Sequence, residues 1–204
     1  MNVRPVELAG RRARLVPMKQ EHAPALLEAG RDPAVWTFLP RQAESLADME
    51  ELVAEALARR DAGVDFPFVI LDRQDADRVV GSTRFCDIDQ ANRSLEIGWT
   101  WLAPAVWRTR INTECKYLLL GHCFETLGAI RVFLKTDARN VRSQKAIERL
   151  GAIKEGVWRK HRILPDGFIR DSVYYSILDD EWPAVKARLE TFLGRPDAEA
   201  AGLQ

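Results

Sequence analysis

The sequence predicts a single α/β (α+β) domain built on a central, mostly antiparallel sheet flanked by helices. Three strand-like segments follow one another from Phe66 to Leu102 with only short polar connections, Asp72 to Arg78 and Asp89 to Arg93, as in an antiparallel meander. The second half then interleaves helical and strand periodicities and closes on a hairpin whose turn reads Pro165-Asp166-Gly167. A chain of 204 residues, 47% apolar and 29% charged, suffices for one core, and no repeat, low-complexity tract or linker divides it. The domain is expected over residues 1–194, with a tail at 195–204 expected to fray after Gly194.

In chain order, Arg11 to Lys19 alternates apolar and polar residues and predicts a first strand, weakened by Pro17. Glu21 to Arg31 reads as a helix, and Trp36, Phe38 and Leu39 form an apolar cluster before Pro40. Ser45 is a candidate N-cap for a helix to about Arg60, with Leu46, Met49, Val53, Ala56 and Leu57 on one stripe. Strands are expected at Phe66 to Leu71, Val79 to Ile88 and Ser94 to Leu102. In the last of these, strict alternation puts Leu95, Ile97, Trp99 and Trp101 on one face and Glu96, Gly98, Thr100 and Leu102 on the other.

A helix of some four turns is expected from Asn112 to Leu127, a strand from Arg131 to Asp137, and a helix from Asn140 to Leu150 closed by Gly151. Two strands, Ala152 to Leu164 and Arg170 to Leu178, flank the turn. A final helix capped by Asp179 or Asp180 carries Trp182, Val185, Leu189, Phe192 and Leu193 on one side.

Composition excludes several classes of function. Thirty basic against thirty acidic residues and a pI near 6.8 argue against a surface made to neutralise nucleic acid. No run approaches the length of a membrane span, and Met1 to Arg14 carries charge throughout, so no membrane partner and a cytoplasmic location are expected. Cys86, Cys115 and Cys123 form no C-x-x-C pair and read as reduced core thiols. His22, His122 and His161 lack ligand spacing, so no metal is expected.

Two polar knots invite a chemical reading. The first is Trp107-Arg108-Thr109-Arg110-Ile111-Asn112-Thr113, which delivers two arginines and unpaired first-turn amides to a helix start, a suitable seat for phosphate; it reads equally as a plain N-cap by Asn112 or Thr113 with Glu114 near the dipole. The second, Asp137 to Lys145, holds Asn140 and Ser143 at the spacing of cap and first-turn residues. Glu96 is a strand carboxylate, either solvated or set beside tryptophans with a pKa raised toward that of a general base.

Together, these knots and the order of elements resemble the GNAT superfamily of N-acyltransferases, in its branch of Rim-type ribosomal-protein N-terminal acetyltransferases. The matching stretches are Leu95-Glu96-Ile97-Gly98, Asn112 to Lys116, Arg131 to Ser143 with its Asn140-x-x-Ser143, Leu150-Gly151-Ala152, Glu155-Gly156-Val157 and Asp166-Gly167. The resemblance implies a sheet splayed in the middle, with acetyl-CoA between two parted strands, here Ser94 to Leu102 and Arg131 to Asp137. It implies pyrophosphate binding at Trp107, Arg108, Thr109, Arg110, Ile111, Asn112 and Thr113, strand-like pairing of the pantetheine arm near Trp101 and Leu102, and contact of Asn140 with that arm.

By the same resemblance Glu96 is the general base, a backbone N–H near Leu102 steadies the oxyanion, and Ser143 stands near the departing sulfur. The acceptor is a primary amine, on a small molecule or a peptide N-terminus. The phosphate loop departs from the superfamily pattern, because Arg110 and Asn112 stand where small residues are usual. Two alternatives follow: a non-catalytic CoA-binding or interaction module with a degraded loop, or an acyltransferase using another donor such as succinyl-CoA. Relatives often pair, which makes a homodimer through the turn from Pro165 to Phe168 a candidate assembly.

Overall fold

The computed structural model describes residues 1–164 and 166–194; Pro165 of the expected turn and the tail expected at 195–204 lie outside the described residues. Its strands are β1 (Leu8–Ala9), β2 (Ala13–Pro17), β3 (Phe66–Asp72), β4 (Arg78–Asp89), β5 (Ser94–Leu102), β6 (Arg131–Asp137), β7 (Ile153–Ile163) and β8 (Ile169–Leu178). They form one sheet in the order β1-β2-β3-β4-β5-β6-β8-β7. The helices are α1 (Ala23–Ala29), α2 (Leu46–Asp61), α3 (Ile111–Gly121), α4 (Val141–Leu150) and α5 (Trp182–Leu193).

Local chemistry explains most boundaries. Ser45 caps α2 reciprocally with Asp48, each side chain taking the other's backbone N–H. Asn140 caps α4 through its Oδ1, and Gly151, at φ +111°, ends that helix in a left-handed turn that a Cβ would strain. Pro17 is the last residue of β2, where a missing N–H costs the ladder little.

The structure corrects several sequence expectations. β1 is an additional two-residue strand, too short to leave a periodic signal. The helix expected to reach Leu127 is regular only to Gly121 and continues as a wider π turn over His122–Thr126. Neither Asp179 nor Asp180 caps α5: the cap position is Glu181, whose side chain accepts the Leu178 N–H instead. Leu46, placed on the α2 stripe, is exposed.

Two apolar layers sandwich the sheet. α1 and α2 bury Leu26, Met49, Val53 and Ala56 against Val69 and Leu71. On the other face α3, α4 and α5 bury Ile111, Cys115, Leu119, Ile147, Leu150 and Leu189 against Leu95, Ile97, Val132 and Tyr175. Cys86, Cys115 and Cys123 are free buried thiols. Among the described residues, no helix is long and apolar enough to cross a membrane.

Every strand pairing is antiparallel except β5 with β6. That parallel pairing lasts three residues, Ser94↔Arg131, Leu95↔Val132 and Glu96↔Phe133, after which the strands diverge. β5 also bulges against β4. Trp101 faces Ser82 and Gly98 faces Arg84, so Trp99 and Thr100 together oppose Thr83, with Trp99 at φ +52°. The extra residue reverses the alternation: Leu102 joins Leu95 and Ile97 in the α3 layer, and Trp101 packs on the α2 side, 5.3 Å from the ring of Trp36. Trp101 therefore does not share a face with Leu95 and Ile97, as strict alternation predicted.

Candidate active site

The parted ends of β5 and β6 open into a cavity of about 1140 Å³, larger than the pockets that hold drug-sized ligands. Both polar knots and Glu96 line it. One end is the start of α3, the other the apex of the strand divergence.

At the α3 end the plain-cap reading fails on geometry. Arg110 occupies the cap position in helical conformation and its side chain makes no cap hydrogen bond, Thr109 Oγ1 accepts only the Ile111 N–H at a long 3.4 Å, and Glu114 turns away to accept the backbone N–H groups of Arg11, Arg12 and Ala13 at 2.7, 2.9 and 2.6 Å. The Asn112 and Thr113 amides, without a cap, at the positive end of the helix dipole and on a cavity wall, favour an anion. Glycine is not required by the backbone here. Arg110 has φ −70°, and the one left-handed residue of the loop is Arg108, at φ +63°.

The predicted phosphate-site residues separate into groups. The arginine Arg108 is exposed at the mouth, and Arg110 directs Nη1 toward the Leu193 carbonyl at the end of α5, 3.5 Å away. Ile111 is fully buried in the α3 layer and contributes only backbone. Thr109 closes the loop on the Val106 carbonyl (2.8 Å), and Thr113 accepts from Arg149 (2.7 Å). Asn112 lines the cavity. Trp107 is locked by its indole N–H on the Leu102 carbonyl (2.8 Å) and lies under the Arg142 guanidinium, 3.9 Å from the ring centre.

Main-chain directions near Trp101 and Leu102 follow from those contacts. The Trp101 carbonyl lies where a Cβ on Gly81 would stand, so it faces β4. A trans peptide then points the Leu102 N–H the other way, into the cleft. The Leu102 carbonyl also faces the cleft but is taken by Trp107.

At the apex, Glu96 is buried and its Oε2 lies 2.5 Å from Lys135 Nζ, which also reaches Asp87 at 3.1 Å. Oε2 accepts no well-directed hydrogen bond. Burial pushes the Glu96 carboxyl up to about 7; Lys135 opposes the rise and Asp87 adds to it. Gly98 leaves room for this carboxylate, since a Cβ there would come within 2.5 Å of Glu96 Oε1. Asn140 spends its Oδ1 on the Ser143 N–H (3.0 Å), while the Ser143 hydroxyl faces the cavity without a hydrogen-bond partner among the described residues.

Several site residues escaped the sequence reading. Lys135 shares a strand face with Phe133 and Asp137, a charged face on a central strand that already signalled a polar cavity. Lys116, one turn beyond Asn112, is buried and donates to Thr100 Oγ1 at 2.7 Å, and burial lowers its ammonium pKa to about 8. A lone lysine inside an apolar helix stripe was its signal. Among the described residues no cluster of His, Cys, Asp and Glu is placed to hold a metal ion.

A sheet opened by one short parallel pairing, with a helix start at one end of the cleft and a buried carboxylate at the other, has the architecture that the sequence led one to expect of an N-acyltransferase fold. The chain belongs to the GNAT acetyltransferase domain family, whose model matches residues 12–153. Over its full length it resembles a GCN5-related N-acetyltransferase from Brucella melitensis, with a TM-score of 0.89 and 28% identity covering 99% of this chain and 91% of that one. A T. thermophilus protein assigned as an acetyltransferase is 42% identical, covering 95% of this chain and all of that one, with a TM-score of 0.85. YdaF of Bacillus subtilis, assigned as a ribosomal N-acetyltransferase, is 35% identical over 100 residues. That match spans 49% of this chain and about half (54%) of YdaF.

Proposed function

We propose that this protein transfers the acetyl group of acetyl-CoA to a primary amine, with Glu96 as general base. The observation that carries the reading is the pair of ends of one cleft: the Asn112 and Thr113 amides at the start of α3 for a diphosphate and, at the apex, a buried carboxylate paired with Lys135 on the cavity wall. The donor supplies an activated thioester carbonyl. The chain's own groups do the rest: the Leu102 N–H, directed into the cleft, is assigned to steady developing negative charge, and Ser143 Oγ is assigned to pass a proton to the departing sulfur, its own being replaced from solvent. An amine of ordinary pKa needs about 1–3 kcal/mol to lose its proton at neutral pH, within the reach of one positioned base.

Trp107, Arg108, Asn112 and Thr113 are assigned to the pyrophosphate, and Asn140 to the pantetheine arm through its amide nitrogen. A cytoplasmic setting accords with three unpaired buried thiols. A homodimer across the β7–β8 edge accords with the exposure there of Trp158, Ile163 and Ile169.

Acetyl-CoA at 100 times its dissociation constant should stabilise the fold by about 2.7 kcal/mol, raising Tm by about 5–10 °C. Thiol release with an amine panel then separates turnover from mere binding. No Tm shift overturns donor binding; a shift without turnover leaves a CoA-binding module.

A further inference from the structure

Arg170, at the start of β8, is a buried and incompletely compensated guanidinium on the cavity wall. Its side chain is nine-tenths buried, its Nε has no hydrogen-bond partner, and its nearest carboxylate oxygen, Asp137 Oδ2, is 4.0 Å away. That carboxylate is committed elsewhere. Asp137 Oδ1 accepts from Arg139 N and Nε at 2.8 and 3.0 Å, and Oδ2 accepts from Arg139 Nη2 at 2.7 Å. Arg139 is held in that position by its stack on Phe168, 3.5 Å from the ring centre. Arg162, the register partner of Arg170 on β7, adds a second cation to the same wall. Lys135 offers nothing to spare, since Glu96 and Asp87 hold it.

A guanidinium kept dry with half a counter-ion is destabilising as it stands. Its planar fork is completed best by a carboxylate. We propose that Arg170, aided by Arg162, is the acceptor-specificity residue of this protein and receives a carboxylate carried by the amine substrate. The cavity is then bipolar: Glu96 faces the amine, and the two arginines face the acid. Polyamines and aminoglycosides, which are cationic throughout, would set positive charge against Arg170 and Arg162. The carboxylate has two possible sources, the α-carboxylate of a free amino acid or an acidic side chain near a peptide N-terminus. This inference rests on the transferase reading and narrows its acceptor.

The experiment measures thiol release from acetyl-CoA with paired acceptors: alanine against alaninamide, and the amidated tripeptides Ala-Asp-Ala and Ala-Asn-Ala. Wild type should prefer the acidic member of one pair by about 10- to 100-fold in kcat/KM, as for a charge-assisted hydrogen bond, and the pair that responds identifies the source. In Arg170→Gln the ratio should collapse to within about threefold, while Arg170→Lys, which keeps the charge and loses the fork, should retain part of it. The differing amine pKa values cancel when ratios are compared between enzymes, and the wild-type ratio is taken per free-amine fraction of each acceptor at the assay pH. A wild type that takes both members equally, or an Arg170→Gln that loses both in the same proportion, overturns the inference. Turnover of spermidine or kanamycin alone overturns it and leaves the transferase reading standing. Turnover of no amine sinks both.

Discussion

The Glu96 carboxylate and the Lys135 ammonium stand 2.5 Å apart at the residue pair from which β5 and β6 diverge. The fold thus places its one short parallel pairing directly beneath the group assigned to take the amine proton. Burial raises that carboxyl to about 7 against the pull of Lys135, which leaves it poised to accept and release a proton near neutral pH.

Removing the base while keeping its shape tests the assignment. Glu96→Gln should lower kcat by about 100-fold or more, the range of a general base, and change the acetyl-CoA dissociation constant by less than about twofold. Thiol-release kinetics beside a Tm titration with acetyl-CoA read the two effects separately. A variant that keeps kcat and loses donor affinity would place Glu96 in the donor site instead.

The two neighbours of Glu96 act on its pKa with opposite sign, and the pH profile should show it. Lys135 lowers that pKa and Asp87 raises it. The base works unprotonated, so activity rises with pH through about 7 in the wild type. Lys135→Met should move this rising limb to higher pH, and Asp87→Asn should move it to lower pH. Compared with one acceptor throughout, the amine's own titration is common to all three profiles. Limbs that move the same way in both variants would show that Glu96 does not govern them.

Gly98 is bound to the same group by space. A Cβ there would meet Glu96 Oε1 at 2.5 Å and Cys86 Sγ at 3.0 Å, tighter than these atoms tolerate. Gly98→Ala should displace the carboxylate and cost about tenfold or more in kcat, as misplacement of a catalytic group does, without abolishing the Tm shift by acetyl-CoA. Full activity in Gly98→Ala would mean that the carboxylate has a second working position.

Most of the architecture was legible because its signals are local. Period-2 runs bounded by polar turns located β5 and β6 to the residue, and Ser45 and Asn140 marked helix starts by side-chain chemistry while Gly151 marked a helix end by its backbone freedom. The bulge at Trp99 was not legible. A non-glycine residue at φ +52° carries no sequence mark, and everything after it on β5 changes face. The site was legible in part. Glu96 and Ser143 line the cavity that the motifs suggested, but the partners that tune them, Lys135 and Asp87, come from other strands and meet Glu96 only through sheet register. Arg170 was silent for the same reason: its incomplete pairing depends on Asp137 being claimed by Arg139.

Ser143 separates a chemical from a structural role because its two polar groups do different things. The backbone N–H is fixed by Asn140, whereas the hydroxyl makes no hydrogen bond among the described residues. Ser143→Ala should therefore leave Tm within about 1–2 °C, consistent with a surface-type change under ~0.5 kcal/mol. Its kcat should fall by about tenfold or more if the hydroxyl protonates the departing thiolate. With a donor whose thiol leaves more readily, the deficit should shrink. An unchanged kcat removes Ser143 from the chemistry and leaves it as the second residue of a capping pair.

Glu114 carries the last expectation, because the helix that presents the proposed phosphate site is anchored through it. Its carboxylate, buried on α3, takes three backbone N–H groups of the β1–β2 turn, and Gly10 leaves it room, since a Cβ there would meet the carboxylate at 2.5 Å. Glu114→Gln keeps one acceptor oxygen and turns an N–H donor onto the remaining donors. Loss of charge-assisted bonds with a buried donor left unpaired should cost about 3 kcal/mol, or roughly 6–12 °C in Tm for a domain of this size. Calorimetry without ligand measures it directly. A fall of less than about 2 °C would mean that the turn and the start of α3 hold their positions without this carboxylate, and that the uncapped amides are set by the α3 core packing of Ile111 and Cys115 alone.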